Sequence, residues 1–461
     1  MEKHYLLKKV WLEQSWQNDI YVVVNPEGII TKVENYLSEK PVEAKVDVLS
    51  GRILPGLING HSHAFQRIFA GLTEFSSLQK SSFWTWRKMM YRCLELLSPD
   101  DVYTIAYYVY LEMLQAGYIE VAEFHYLHND VSGHSYDKVT EIADSLVNAA
   151  LDAGIKITLL PVLYRFSGFG EQNPQPEQRR FILSTDKYQQ LIQELSTSYQ
   201  EHPQISIGMA AHSLRAVNAE DLWFLEQLSF HHNNSPIHLH IAEQEAEVES
   251  CIEHHRQRPV EWLSNVVKLD RRWTLVHATH INNDEVTAMA KANLTVSLCP
   301  TTEANLGDGI FPLQEWLALK GQCSVGTDSQ ISISTQEELR WLEYGQRLQL
   351  QARNIVNSPF SHNGMALYEM ARSGGKHSLQ KSESFLTVGS SADWVVIDSD
   401  SMILDVSDKF WFDAWLFAVN PIPSSQVMIN GKWVIKSDCG NSLNPQQQKF
   451  STLRKRILAS Q

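Results

Sequence analysis

The chain is predicted to be an α/β protein, a (β/α)8 TIM-like barrel with a small β-sandwich domain built from both chain ends. Three observations carry that prediction. Between about residues 55 and 375, short apolar runs alternate with longer helical patterns. Eight such strands separated by helices read as parallel βα units, and the count suits a closed barrel. The first fifty residues instead hold short β runs broken by Asn25-Pro-Glu-Gly28, a hairpin texture. The same texture returns after residue 375, so the chain is expected to leave the small domain near residue 55 and re-enter it near 380. The expected divisions are 1–54 and 379–461 for the two parts of the small domain, the second with its tail, and 55–378 for the barrel.

Taken in order, the amino-terminal strands are expected at residues 9–12, 20–24, 28–33 and 46–49, each rich in β-branched or aromatic residues. The barrel strands are expected at 53–58, 118–124, 155–162, 205–211, 237–241, 273–277, 294–298 and 323–326. Helical patterns lie between them, as at 99–116, 138–153 and 185–199. The returning strands fall in 392–398, 427–430 and 432–435, and residues 446–461 form a polar, basic helix or tail with no readable chemistry.

Bulk composition narrows the function classes. Hydrophobic residues make up 43% of the 461, enough for a sizeable core. With 39 basic against 53 acidic residues, and no basic cluster beyond the tail, nucleic acid is an unsuitable partner. The five cysteines, Cys93, Cys251, Cys299, Cys323 and Cys439, are odd in number and form no CxxC pair, the pattern of reduced thiols in the cytoplasm. The amino terminus lacks a signal-peptide apolar core, and no run approaches the ~20 apolar residues of a membrane span.

Chemistry is expected at the carboxyl ends of the barrel strands, where the βα loops gather. The first strand runs into His61-Ser-His63, whose period of two puts both imidazoles on one side of the backbone. Three later strands also end in potential ligands: His238 and His240 in the fifth, His277 in the sixth, and Asp328 just after the eighth. Any one of these has a bland alternative, a hydrogen-bonded core histidine or a capping aspartate. All four strand ends carrying such residues in this order is hard to obtain by accident. Imidazole and carboxylate together suit zinc, and equally iron, with one coordination position left for water.

The pattern HxH, His, His, Asp resembles the amidohydrolase superfamily. More narrowly, Gly60-His-Ser-His-Ala-Phe-Gln-Arg67, Ser82-Phe-Trp-Thr-Trp-Arg87, Ala122-Glu-Phe-His-Tyr126, His212-Ser-Leu-Arg215, His238-Leu-His-Ile-Ala-Glu-Gln244 and Cys299-Pro-Thr-Thr-Glu-Ala-Asn-Leu-Gly-Asp308 are similar to its deiminases that convert an N-formimino dicarboxylate to the N-formyl compound and ammonia, a step of histidine degradation. The likeness runs from about residue 53 to the end. It implies a barrel of the amidohydrolase type and a homodimer. It also implies one divalent metal per chain, Zn2+ or Fe2+, held by His61, His63, His240 and Asp328. Binuclear members carry a bridging lysine at the end of the fourth strand; here that strand runs into His212 with no lysine nearby, which favours a single ion. His238, one layer deeper, is expected to be a core or supporting residue.

The resemblance assigns catalytic roles to Glu243, His277 and Asp328. Glu243 lies just past the strand end, where it can shuttle protons; its bland alternative is a solvated first-turn glutamate. A small dicarboxylate substrate calls for cations, and arginine offers a planar bidentate fork. Arg87, Tyr126, His212 and Arg215 are implied around the substrate, with Gln66 near the formimino end. The aromatic run before Arg87 suits a cover over the barrel mouth. Glu303 and Asn305 could shape the pocket or cap a helix. Two other functions stay open: a superfamily deaminase acting on a purine or S-adenosyl compound, and a metal-free barrel scaffold, against which the full ligand set speaks.

Overall fold

The computed structural model describes residues 1–35, 45–74, 83–356, 361–382, 384–436 and 445–459. Cys439, Ser82 and the side chains of Phe83 and Trp84 in the aromatic run lie outside the described residues.

The small domain is a seven-stranded mixed sheet. From the amino-terminal part come β1 (Lys3–Leu12), β2 (Ser15–Val24), β3 (Ile30–Asn35) and β4 (Val46–Leu54). The barrel follows with β5 (Leu57–Ser62), β6 (Tyr118–His125), β7 (Lys156–Leu163), β8 (Ile205–Ile207), β9 (Met209–Ser213), β10 (Ile237–Ile241), β11 (Trp273–His277), β12 (Thr295–Leu298) and β13 (Gln322–Val325). The carboxyl-terminal part returns as β14 (Trp394–Ile397), β15 (Gln426–Ile429) and β16 (Lys432–Ile435). In the small sheet the order is β16-β15-β14-β4-β1-β2-β3, so β4 and β14 join the two chain ends side by side, Leu54 opposite Val395. Tyr5, Leu7 and Val10 of β1 and Val22 and Val24 of β2 are buried in one cluster with Trp394 and Met428, and the intervening Leu6, Tyr21 and Val23 are buried as well.

The barrel strands are parallel and follow chain order, with β8 paired to β7 off the main path. Closure comes beyond the last regular ladder. Asp328 N donates to the His61 carbonyl at 3.0 Å and His63 N donates to the Asp328 carbonyl at 3.1 Å, so the outgoing chain after β13 pairs with the HxH segment itself. Gly326 allows the approach: a Cβ there would lie 2.6 Å from the backbone N and O of His61.

Two expected strands differ in detail. The first, expected at 53–58, is divided: Leu54 ends β4 in the small sheet and Leu57 begins β5 in the barrel. Pro55 between them has no N–H to continue a ladder, and its carbonyl accepts from Tyr368 Oη at 2.5 Å. The strand expected at 205–211 is divided at Gly208 into β8 and β9. A Cβ there would stand 2.5 Å from Leu160 Cδ2, and pairing to β7 jumps from Leu159 to Val162 across the break.

Helices pack on the outside of the barrel. Pro99–Gln115 opens with a capping box, the Ser98 side chain accepting from Asp101 N and the Asp101 carboxylate accepting from Ser98 N, with Pro99 at the first position. The tail is a helix, Pro445–Ala459, whose Phe450 stacks on Tyr108 at 4.0 Å between centroids. No described helix is long and apolar enough to cross a membrane.

Candidate metal centre and substrate pocket

His61, His63, His240 and Asp328 converge at the carboxyl end of the barrel, all four buried. Period two within β5 and β10 aims these rings into the barrel mouth. His61 Nε2 stands 3.1 Å from His63 Nε2 and 2.9 Å from His240 Nε2, while His63 and His240 are 3.4 Å apart. Asp328 Oδ1 is 3.4 Å from His61 Nε2 and 3.3 Å from His63 Nε2. Donors bound at ~2.1 Å to a common ion sit about 3.0–3.4 Å from one another, so the spacings fit a single first-row divalent cation.

The hydrogen bonds on the far sides of the rings make the same point chemically. His63 Nδ1 donates to the Phe124 carbonyl at 2.8 Å and His240 Nδ1 donates to the His212 carbonyl at 2.7 Å, which leaves both Nε2 atoms as inward lone pairs. His61 Nδ1 is buried with no partner among the described residues. Lone pairs and a carboxylate oxygen packed at van der Waals distance repel unless a cation lies between them. Burial also keeps the rings neutral: it lowers His61 to about 3 and moves His63 and His240 in the same direction. Burial works against a charged Asp328, but its hydrogen bond to His61 and the nearby rings outweigh that and hold the carboxyl below its ordinary range.

Behind the pair, Glu123 on β6 accepts from Ser62 Oγ at 2.7 Å and from Ala64 N at 2.7 Å, gripping the chain on both sides of His63. Gln330 Nε2 donates to Ser62 Oγ at 2.9 Å and to the Asp328 carbonyl at 3.0 Å, tying the HxH segment to the aspartate. Neither residue was among the expected site residues. Glu123 lies in a quoted motif, but nothing in one sequence shows that a strand-borne glutamate faces the neighbouring strand's loop.

Glu243 and His277 adjoin the cluster. Ala242 and His277 hold left-handed backbone, φ 51° and 65°, which turns the chain sharply as β10 and β11 end. His277 Nε2 is 3.8 Å from Glu243 Oε1 and 3.9 Å from Asp328 Oδ2. Burial raises the Glu243 carboxyl, with Asp328 and Glu247 adding to it and His277 opposing. Around His277 the balance reverses: burial disfavours its charged form, and Glu243, Glu303 and Asp328 outweigh the burial and raise it. An acid and a base are thus pushed toward sharing one proton beside the cluster.

Every expected substrate residue lines the same cavity: Gln66, Arg87, Tyr126, His212 and Arg215 face His63, His240, Glu243, His277 and Asp328. Gln66 Nε2 donates to Tyr126 Oη at 3.0 Å, which leaves the buried Gln66 Oε1 with no partner among the described residues. Arg87, on the helix Phe83–Leu94, donates from Nε to Tyr91 Oη at 2.6 Å and from Nη2 to Tyr164 Oη at 3.2 Å. Arg215 Nε is buried without a hydrogen-bond partner among the described residues. Trp86, Met90 and Leu306 complete the wall. They were not expected individually, since an apolar wall residue carries no signal that separates it from the core.

Residues 52–434 match the amidohydrolase family. The chain is 41% identical over 431 residues, covering 93% of it and 94% of the relative, to a protein of Pseudomonas aeruginosa named formimidoylglutamate deiminase. Among solved structures it superposes on an amidohydrolase from Brucella melitensis with a TM-score of 0.92 and 35% identity, covering 99% of this chain and 100% of that one. An atrazine chlorohydrolase from Arthrobacter aurescens, complexed with zinc, shares the fold at TM-score 0.81 and 18% identity, with 99% of each chain covered.

Proposed function

We propose that this chain, which belongs to the amidohydrolase family, hydrolyses the formimino group of N-formimino-L-glutamate to give N-formyl-L-glutamate and ammonia. The observation that carries the reading is a single cavity in which His63, His240 and Asp328 of a three-histidine, one-aspartate cluster meet two arginines, in a chain 41% identical to a formimidoylglutamate deiminase. A divalent ion held by His61, His63, His240 and Asp328, one per chain and zinc in this reading, would lower the pKa of water toward ~7 and so supply the nucleophile.

The chain's own residues then manage position and protons. Arg215, Arg87 and His212 bind the two carboxylates, the arginines by the bidentate geometry that suits them. Gln66 offers its unpaired Oε1 to the formimino N–H, with Tyr126 holding the amide in place. Asp328 takes a proton from the attacking water through the oxygen nearest His277. Glu243 carries a proton to the formimino nitrogen, which must be protonated to leave as ammonia. His277 Nε2 stabilises the charge that develops between Glu243 and Asp328. Water adds to carbon and the C–N bond to the terminal nitrogen breaks, so neither oxidant nor reductant is required. The reading includes a place in histidine degradation, a cytoplasmic setting and a homodimeric assembly.

The test is ammonia release by zinc-loaded protein from N-formimino-L-glutamate, with adenosine, guanine and S-adenosylhomocysteine as comparison substrates. Turnover of the first at least a hundredfold above the others is expected. No ammonia from it would overturn the proposal, and turnover of a purine instead would move the enzyme to another branch of the family. Metal analysis of the same preparation is expected to give one equivalent per chain, and light scattering a dimer.

A further inference from the structure

Glu303 has no part in the proposed reaction, yet it touches His277, the site histidine that is neither in the His/His/His/Asp cluster nor among the substrate contacts. It sits on the short helix Pro300–Leu306 after β12 and is 7% exposed. Its Oε1 is 3.2 Å from His277 Nδ1 and also accepts the Cys299 backbone N–H at 2.9 Å. One carboxylate oxygen therefore joins the end of β12 to the ring at the end of β11. That ring needs holding. His277 is the last residue of β11, opposite Ile241, and its left-handed backbone turns the chain there, which places the ring at the strand end without fixing its rotation. Its face stacks on His240 at 5.6 Å with planes 12° apart, which sets the tilt of the ring but not its rotation in the plane.

We infer that Glu303 is a positioning residue: by accepting from His277 Nδ1 it fixes the ring so that Nε2 faces Glu243 and Asp328. The inference rests on the function proposed above, in which Nε2 meets the reacting centre. Because Nε2 is 3.8 Å from Glu243 and 3.9 Å from Asp328, neither contact is a direct hydrogen bond. Orientation of the ring must come from the opposite nitrogen, and Glu303 is the acceptor there. A neutral His277 then carries its proton on Nδ1 and presents a lone pair at Nε2; a protonated one presents N–H at the same place. The competing structural role is simple capping of Cys299 N.

The two roles separate in a double-mutant cycle on the zinc-loaded enzyme, with Glu303→Ala, His277→Ala and the pair. Expected for Glu303→Ala is a 30- to 300-fold fall in kcat with KM changed less than threefold and the metal retained. On the His277→Ala background the same change is expected to cost less than threefold more. Glu303→Gln keeps an acceptor for both N–H groups and is expected to recover most of the loss, to within about tenfold of the parent. A loss that multiplies with that of His277→Ala, or a kcat within threefold of the parent for Glu303→Ala, would overturn the inference. Should Glu303→Ala not fold, Glu303→Asp takes its place in the cycle, since the shorter arm cannot reach both partners. Crystal structures give a readout independent of substrate: the His277 ring is expected to rotate in Glu303→Ala and stay in Glu303→Gln. If the parent fails to hydrolyse N-formimino-L-glutamate, the functional reading falls, while the rotation still decides the positioning role; an unrotated ring in Glu303→Ala sinks it.

Discussion

His238 and His240 stand two residues apart on β10, point to the same side of the strand and are both buried, yet they belong to different layers of the barrel. At the floor, His238 Nε2 donates to the Ser378 carbonyl at 3.2 Å, and Thr274 Oγ1 donates to the same oxygen at 3.4 Å. At the mouth, His240 Nδ1 donates to the His212 carbonyl, so its Nε2 lone pair faces the Nε2 atoms of His61 and His63. The floor ring spends Nε2 as a donor to a carbonyl; the mouth ring spends Nδ1. Which nitrogen meets the carbonyl decides whether a histidine is a packing residue or a ligand, and the neighbouring strand ends make that decision.

The strongest way to break this comparison is to remove one ring from each layer. His240→Ala is expected to lose bound metal and activity together, with kcat/KM down by more than about 10³-fold; stoichiometric zinc in the purified variant would refute the ligand assignment. Removing substrate charge leaves the metal alone: Arg215→Ala is expected to raise KM for the dicarboxylate roughly 10- to 100-fold, the worth of a charge-assisted hydrogen bond, at full metal content. An unchanged KM would take Arg215 out of the pocket.

At the floor, His238→Ala is expected to keep one equivalent of zinc while unfolding in urea with stability lower by about 2–4 kcal/mol, the cost of a buried cavity and a lost buried hydrogen bond. Zinc loss there would erase the distinction between layers. A third buried ring sharpens it. His128 is neither ligand nor floor; its Nε2 donates to the Val162 carbonyl at 2.9 Å, and burial lowers it from 6.5 to about 4. The unfolded chain therefore binds a proton on this residue between those values and the folded chain does not, so stability falls as pH drops below about 6.5. Between pH 6.5 and about 5 this one ring accounts for about 2 kcal/mol at most. His128→Gln is expected to flatten the acid side of the stability profile by that much, and an unchanged profile would show that the ring is already protonated when folded.

The barrel and the convergence of His61, His63, His240 and Asp328 were legible because both follow from strand periodicity. An HxH on an apolar run, and single ligands at later strand ends, project to one place once the strands are taken as parallel. His238 could be set aside by the same logic, as the position one layer below His240. Less visible were the contacts that reach across elements. Glu123 grips Ser62 and Ala64 from the next strand, 61 and 59 residues away in sequence, a partnership no local pattern encodes. Glu303 was seen only as part of an acceptor-rich loop, because its partner ring lies 26 residues upstream. The divided strands at Pro55 and Gly208 turn on single residues whose effect depends on Tyr368 and Leu160, which arrive from elsewhere in the chain.

The pairing of β4 with β14 sets a timetable for synthesis. Roughly 340 residues separate Leu54 from its partner Val395, which at ~5–20 residues per second amounts to ~20–70 s on the ribosome. Through that interval the nascent chain holds one open edge of β4, the kind of unpaired edge that invites association with other chains. The metal cluster, by contrast, is complete in sequence once Asp328 has emerged. A nascent barrel can thus gather its ligands while the small sheet still waits for its last three strands, and a message truncated after the barrel would yield a chain with its donors assembled and its β4 edge bare.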